Sequence, residues 1–186
     1  MDRNFFDFTL NYNWDMVPVD RSFDPNKIKE YLSQIEREND LLFIKELLEK
    51  TTYVDYAKFK QALLDTFELF KQSIGQEEFY LMLPKARVGS EHWLTALLWA
   101  QLRRLNLKKI INETNELTEH MTNILIIDDA IYSGQRIIER IYMFGETMSS
   151  KNVKCHIVTP FASSPGFKLI DESCKDYDIE CILHYK

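Results

Sequence analysis

The spacing of apolar residues changes character once along this chain. In the first part it is helical. Asp24-Pro25 makes a helix start, with Asp24 as the cap and Pro25 in the first helical position, and Ile28, Tyr31, Leu32 and Ile35 follow. Asp40 is a candidate cap for a second helix carrying Leu41, Ile44, Leu47 and Leu48. A third runs through Tyr56, Phe59, Leu63, Phe67 and Phe70, again three or four residues apart, so the pattern predicts helix to about Ser73.

Near Gly75 the runs become short and solidly apolar. Phe79 to Leu83 is a strand candidate ended by Pro84, followed by a loop from Lys85 to Ser90 and a helix from Glu91 to Leu105. Lys109 to Ile111 is a short strand candidate. The pattern then predicts a strand over 123–128, a helix over 135–148 with Ile137, Ile138, Ile141 and Met148 facing inward, and a strand from Val153 to Thr159. A short helix from Phe167 to Cys174 and a last strand from Ile179 to His184 complete the series. Alternation of strand and helix predicts an α/β fold with a parallel sheet of about five strands flanked by helices. The expected division is a helical N-terminal extension over 1–74 and an α/β core over 75–186. Aromatic residues are dense before the first helix (Phe5, Phe6, Phe8, Tyr12, Trp14, Phe23), so that stretch is expected to pack against the body.

Composition narrows the classes. The 186 residues are 45% hydrophobic and 28% charged, which is ordinary for a globular protein. A net charge of −6 does not indicate a nucleic-acid binder. Arg103-Arg104 with Lys108-Lys109 is the one basic cluster, and its simpler reading is a solvated helix end. Cys155, Cys174 and Cys181 are odd in number and lack CxxC spacing, so reduced, buried thiols are expected rather than a zinc site or disulfides. The first residues have no sustained apolar stretch and no window reaches membrane-spanning length, so a cytoplasmic location is expected.

The chemistry concentrates in one segment. Ile124 to Ile127 is a run of four aliphatics, the pattern of a strand covered on both faces. Asp128 and Asp129 stand where that strand should emerge, and in open parallel sheets ligands bind outside the carboxyl ends of the strands. Adjacent side chains in extended backbone point to opposite sides, so one carboxylate is expected to face a ligand and the other a neighbouring loop or a hydrated cation. Ser133 and Gly134 offer a hydroxyl and amides at the start of the next helix, where a phosphate is favoured. The plainer reading is a strand-to-helix turn with a serine cap.

Apolar run, acidic pair, short apolar stretch and Ser-Gly together resemble the phosphoribosyl-pyrophosphate (PRPP) motif of the type I phosphoribosyltransferases. That resemblance covers residues 79–186. It implies that Asp128 and Asp129 bind the ribose hydroxyls, one of them through Mg²⁺, and that they orient the reacting sugar. It implies further that Ala130, Ile131, Tyr132, Ser133, Gly134, Gln135 and Arg136 wrap the 5′-phosphate. Gln135-Arg136 departs from the hydroxyl residue that commonly closes this loop; Arg136 either adds charge to the phosphate or points to solvent. The pyrophosphate loop of the family would fall on Lys85, Arg87, Gly89 and Ser90, while Glu91 and His92 just beyond read as caps or surface groups. Phe161 is the candidate for stacking on a base, with loop packing as its simpler role. The segment from Asn112 to Thr122, where the family carries a mobile cover, is short here and contains Glu113, Glu116 and Glu119.

Two functions follow from the resemblance. One is an enzyme that transfers a phosphoribosyl group from PRPP with release of pyrophosphate, using a small-molecule acceptor. The other is a PRTase-like module that binds a nucleotide without turnover, as in bacterial conflict (antiphage) systems, where such domains carry appended helices. The N-terminal region would serve either as a surface for self-association or for a partner protein. A response-regulator receiver is disfavoured, because its acidic pair closes the first strand and here less than a third of the chain follows Asp128. No GxGxxG, GxxxxGK[ST] or GxSxG pattern is present.

Overall fold

The structure, a computed structural model, describes residues 30, 33–34, 40, 42–44, 54–83, 89–112, 116, 118, 120–148 and 153–185. The chain forms two compact units, Met1–Lys60 and Gln61–Lys186. In the first, Glu30, Ser33, Asp40 and residues 42–44 are helical, and the Ser33 hydroxyl donates to the Glu30 carbonyl at 2.7 Å. The aromatic stretch 5–23 and the rest of the first two expected helices lie outside the described residues.

Helix α1 (Tyr56–Ile74) leads into the second unit. There β1 (Phe79–Met82), α2 (Ser90–Leu102), β2 (Leu107–Ile111), β3 (Asn123–Ile127), α3 (Gln135–Met148), β4 (Lys154–Val158), α4 (Ser164–Asp176) and β5 (Glu180–His184) follow in turn. The five strands are all parallel, in the order β2-β1-β3-β4-β5. From β1 the chain crosses to one side of the sheet, and from β3 it crosses to the other. The crevice between the carboxyl ends of β1 and β3 is therefore the topological switch point, the place where such sheets bind ligands.

Every residue of β3 is buried, as its unbroken aliphatic run requires. Ile124, Ile126, Cys155 and Ile157 share a core cluster with Ile137 and Ile141 of α3 and with Ile170 and Cys174 of α4. His156 lies between Cys155 and Ile157, so strand alternation turns it to the opposite face. That face carries Phe70 of α1, whose ring meets Phe79 edge-on at 5.2 Å, His156 at 5.4 Å and His184 at 5.7 Å.

The polar groups in this second core layer satisfy one another. Asn123 Nδ2 donates to Glu77 Oε2 at 3.1 Å and to the Glu78 carbonyl at 3.0 Å. Its Oδ1 can only accept, so the contact of 3.4 Å to His156 Nε2 assigns the ring proton to that nitrogen. Nδ1 of His156 is then an acceptor, and Nε2 of His184, 3.2 Å away, is the donor. Burial lowers the pKa of both rings to about 4, and the His184 ring adds to the effect on His156. Both imidazoles are neutral links in one directed chain.

Three element boundaries depart from the apolar pattern for visible reasons. Helix α4 begins at Ser164 rather than Phe167, because Ser163 caps it by accepting from the Gly166 N–H at 3.0 Å and a proline stands in its first turn. Helix α2 ends at Leu102 rather than Leu105, where Arg104 and Leu105 switch to tight bonds with Gln101 and Leu102. Strand β2 starts at Leu107 rather than Lys109, since pairing with Phe79 extends it. Its lysines form surface ion pairs, Lys108 with Glu78 and Lys109 with Glu116, both at 2.6 Å, so the lysine half of the basic cluster is paired with carboxylates.

Cys155, Cys174 and Cys181 are free thiols. Cys155 and Cys181 are register neighbours on β4 and β5. The pKa of Cys174 is raised chiefly by its hydrogen bond with Cys155, and that of Cys181 chiefly by its hydrogen bond with Cys174, with burial adding to both. Among the described residues no cluster of three or more His, Cys, Asp or Glu is arranged to hold a metal, and no helix is long and apolar enough to cross a membrane.

Candidate functional site

Strand β3 delivers its acidic pair to the switch point. The Asp128 N–H still joins the ladder, donating to the Val158 carbonyl at 3.0 Å, but its side chain turns into the crevice and is only 3% exposed. Its Oδ1 accepts from the Ser90 hydroxyl at 3.2 Å and from the Asp129 N–H at 3.0 Å. Asp129 is half-buried. Burial pushes the Asp128 carboxyl up to about 6; the Arg140 guanidinium opposes that shift and neighbouring Asp129 adds to it. The two carboxylates thus have unlike settings, one held by Ser90 and one more open to solvent.

A pocket of about 330 Å³ lies beside them, lined by residues 128–137. The loop from Ala130 to Gly134, with the first turn of α3, forms its wall. Ile131 is buried and anchors the loop, while Tyr132 is 81% exposed and Ser133, Gln135 and Arg136 are also exposed. Ser133 Oγ accepts from the Gln135 N–H at 3.4 Å, a weak cap at the start of α3. Gly134 has φ +76, where a Cβ would stand 2.7 Å from the Gly166 carbonyl and 3.0 Å from Ile170. Only glycine fits that bend without strain.

The loop is braced by the segment after β4. The Ile131 N–H donates to the Phe161 carbonyl at 2.9 Å, and the Ser163 N–H to the Ile131 carbonyl at 2.8 Å, which makes an isolated parallel bridge between Ile131 and Ala162. The Ser163 hydroxyl also donates to the Tyr132 carbonyl. A Cβ on Gly166 would stand 2.5 Å from that same carbonyl, so the approach depends on glycine. Phe161 is half-buried, its carbonyl engaged by Ile131 and by Thr159, and it is not among the residues lining the pocket.

On the β1 side, Lys85 and Arg87 lie outside the described residues, whereas Gly89 and Ser90 are described. Ser90 opens α2 and reaches Asp128, so the two loops meet at a named hydrogen bond. The Gly89 N–H donates to His92 Nδ1 at 3.3 Å, so His92 does cap the helix, as the sequence suggested. Its pKa is lowered, chiefly by burial, which leaves its 3.8 Å approach to Glu91 Oε1 a contact with a neutral ring.

Glu91 is neither cap nor surface group. It is 5% exposed and its Oε2 lies 3.3 Å from Arg140 Nη2 on α3, itself a residue 7% exposed. Gly89 stands so close that a Cβ there would meet Glu91 Oε2 at 2.4 Å. Both charged residues had a signal in the sequence. Glu91 shares its stripe with Leu94, Thr95, Leu98 and Leu102, and Arg140 lies beside Ile137 and Ile141, so each is a charge on the buried side of its helix. Ser163 and Gly166 were also missed; Ser-Ser-Pro ahead of an apolar helical stripe was their signal.

The crevice therefore holds two carboxylates in unlike settings, a glycine-bent loop running into a helix N-terminus, and a second helix N-terminus bonded to the first carboxylate. Such a set suits a ligand bearing both hydroxyls and phosphates. A comparison with curated proteins gives no match. A family model, PRTase-CE, matches residues 28–186, spanning the whole sheet and both loops of the crevice. The chain belongs to the PRTase-CE family and is phosphoribosyltransferase-like.

Proposed function

We propose that the chain binds PRPP with Mg²⁺, or a related nucleotide, between the carboxyl ends of β1 and β3, and transfers the phosphoribosyl group to an acceptor with release of pyrophosphate. The observation that carries this reading is Asp128: a buried carboxylate at the switch point, held by Ser90 and followed by a loop bent at Gly134. Asp128 and Asp129 orient the ribose hydroxyls. The backbone amides from Ala130 to Gly134, the Ser133 hydroxyl and the first turn at Gln135 and Arg136 take the 5′-phosphate. Gly89 and Ser90, with Lys85 and Arg87, take the pyrophosphate.

Two carboxylates, with no third His, Cys, Asp or Glu clustered beside them among the described residues, fit a magnesium ion that keeps waters and substrate oxygens in its shell. Asp128 and Asp129 would hold it, and when bound it would supply charge neutralisation at the diphosphate. The work left to the chain is positioning the sugar and stabilising positive charge at its anomeric carbon. With Asp128 ionised, the pair supplies negative charge to that side of the sugar.

One observation favours a binding module without turnover. Glu116, in the segment where the family's cover would lie, is tied to its own neighbourhood by Lys109 and by the Asn112 N–H, at 3.2 Å. Measuring pyrophosphate release from Mg-PRPP across a panel of purine and pyrimidine bases separates the two. Release with at least one base supports transfer; ligand binding with no release from any base supports the regulatory module, as in a conflict system.

A further inference from the structure

Glu91 and Arg140 form a charged pair within the protein, with side chains 7% and 8% exposed, and nothing in the proposed reaction uses them. A buried ion pair is a poor means of stabilising a fold, because desolvation offsets its attraction and apolar residues of similar volume often do as well. Among the described residues the pair is also incompletely satisfied: Arg140 Nη1 is buried with no hydrogen-bond partner, and Glu91 Oε2, though 3.3 Å from Nη2, has no well-directed hydrogen bond. What the pair does supply is a fixed connection. Glu91 lies in the first turn of α2, next to Ser90, which bonds Asp128. Arg140 lies in α3, which begins directly after the Ser133-Gly134 loop.

Resting on the PRPP reading above, we propose that Glu91 and Arg140 are positioning residues that set the distance between the pyrophosphate loop after β1 and the 5′-phosphate loop after β3. The close seat of Gly89 against the Glu91 carboxylate supports this, since the last residue of the β1 loop rests directly on the pair. A ligand that spans both loops senses the connection. One that occupies only the α3 loop and the acidic pair feels only the Arg140 charge near Asp128, which Glu91→Gln and Arg140→Lys both keep.

The test compares Mg-PRPP with ribose 5-phosphate by calorimetric titration of the full chain. Wild type is set against Glu91→Gln, Arg140→Met, Arg140→Lys and the paired Glu91→Met/Arg140→Met, with thermal melts alongside. Expected is a loss of about tenfold in PRPP affinity for Glu91→Gln and Arg140→Met, while ribose 5-phosphate stays within about twofold for Glu91→Gln and Arg140→Lys, which keep the charge near Asp128. Arg140→Lys should recover most of the PRPP affinity, and the double variant should recover melting temperature without recovering PRPP affinity. An equal loss for both ligands in Glu91→Gln, no loss for either, or full recovery in the double variant would overturn the positioning role. Glu91→Gln is isosteric, so the ratio can be read even where Arg140→Met folds poorly. If wild type binds neither ligand, the PRPP reading itself falls, and the inference with it; if wild type binds both and the ratio never moves, only the inference falls.

Discussion

Two buried polar clusters divide this α/β core between them, and they are built on opposite rules. Beneath Phe70, the chain His184–His156–Asn123 is assembled from neutral groups inside the sheet layer, each donor meeting an acceptor, and it ends at the surface on the exposed Glu77 carboxylate. At the carboxyl edge, Asp128, Glu91 and Arg140 are ionisable groups, and among the described residues buried atoms there lack partners, including Arg140 Nη1 and, one turn along α2 from Glu91, Thr95 Oγ1. A buried polar network that is complete holds a core in one arrangement, whereas an incomplete one costs stability and needs another reason to persist. The first cluster belongs to the fold. The second stands where a charged ligand would arrive.

The largest effect that would sharpen this contrast is on stability. Phe70→Ala removes the ring that covers His156, His184 and Phe79, and should cost about 3–5 kcal/mol in denaturant unfolding. Substitution of exposed Tyr132, at the mouth of the other cluster, should leave the midpoint nearly unchanged. A large loss from Tyr132→Ala or a small one from Phe70→Ala would break the division.

Next comes Gly134→Ala. Its φ of +76 and the 2.7 Å approach to the Gly166 carbonyl make a side chain strained, at about 1–3 kcal/mol. Affinity for ribose 5-phosphate should fall by more than the change in stability alone would produce, because the loop's amides move. Unchanged titration heats would show that this bend does not shape the site.

The pH dependence separates the clusters by sign. The histidines hold folded pKa values of about 4 against an ordinary 6.5, so between those limits the unfolded chain binds more protons and stability falls as pH falls. Asp128 does the reverse. Its carboxyl titrates at about 6 when folded against an ordinary 3.8, so its burial penalty is fully present above pH 6 and is relieved as pH drops toward 4. Denaturation midpoints from pH 7 to pH 4 should therefore fall more steeply in Asp128→Asn than in wild type. Parallel curves would contradict the assignment of Asp128 as the opposing group.

The smallest effect belongs to the surface. Lys108→Ala breaks the exposed pair with Glu78 and should shift stability by no more than about 0.5 kcal/mol. Any larger change would mean that the edge strand carries more of the sheet's stability than a solvated ion pair allows.

Much of the fold was legible because it rests on local periodicity. The all-buried β3, the helix over 135–148 and the order of strands and helices from Phe79 onward all follow from runs of apolar residues. The acidic pair and its loop were legible too, because their chemistry is contiguous in the chain. The bracing by Ser163 and Gly166, the Glu91–Arg140 pair and the histidine chain were not, since each joins residues separated by 28 to 49 positions (Tyr132 to Ser163 by 31, Asn123 to His156 by 33, His156 to His184 by 28, Glu91 to Arg140 by 49). Periodicity shows that a charge lies on a buried stripe. It does not say which charge will meet it.

The central claim is that Asp128 and Asp129 form a ribose-phosphate site, and the direct measurement is calorimetric titration of Mg-PRPP into wild type, Asp128→Asn and Asp129→Asn. Wild type should bind, and each substitution should weaken binding by roughly 10- to 100-fold, the loss expected when a charged hydrogen-bond acceptor is neutralised. Equal heats from all three proteins, or none from wild type, would contradict it.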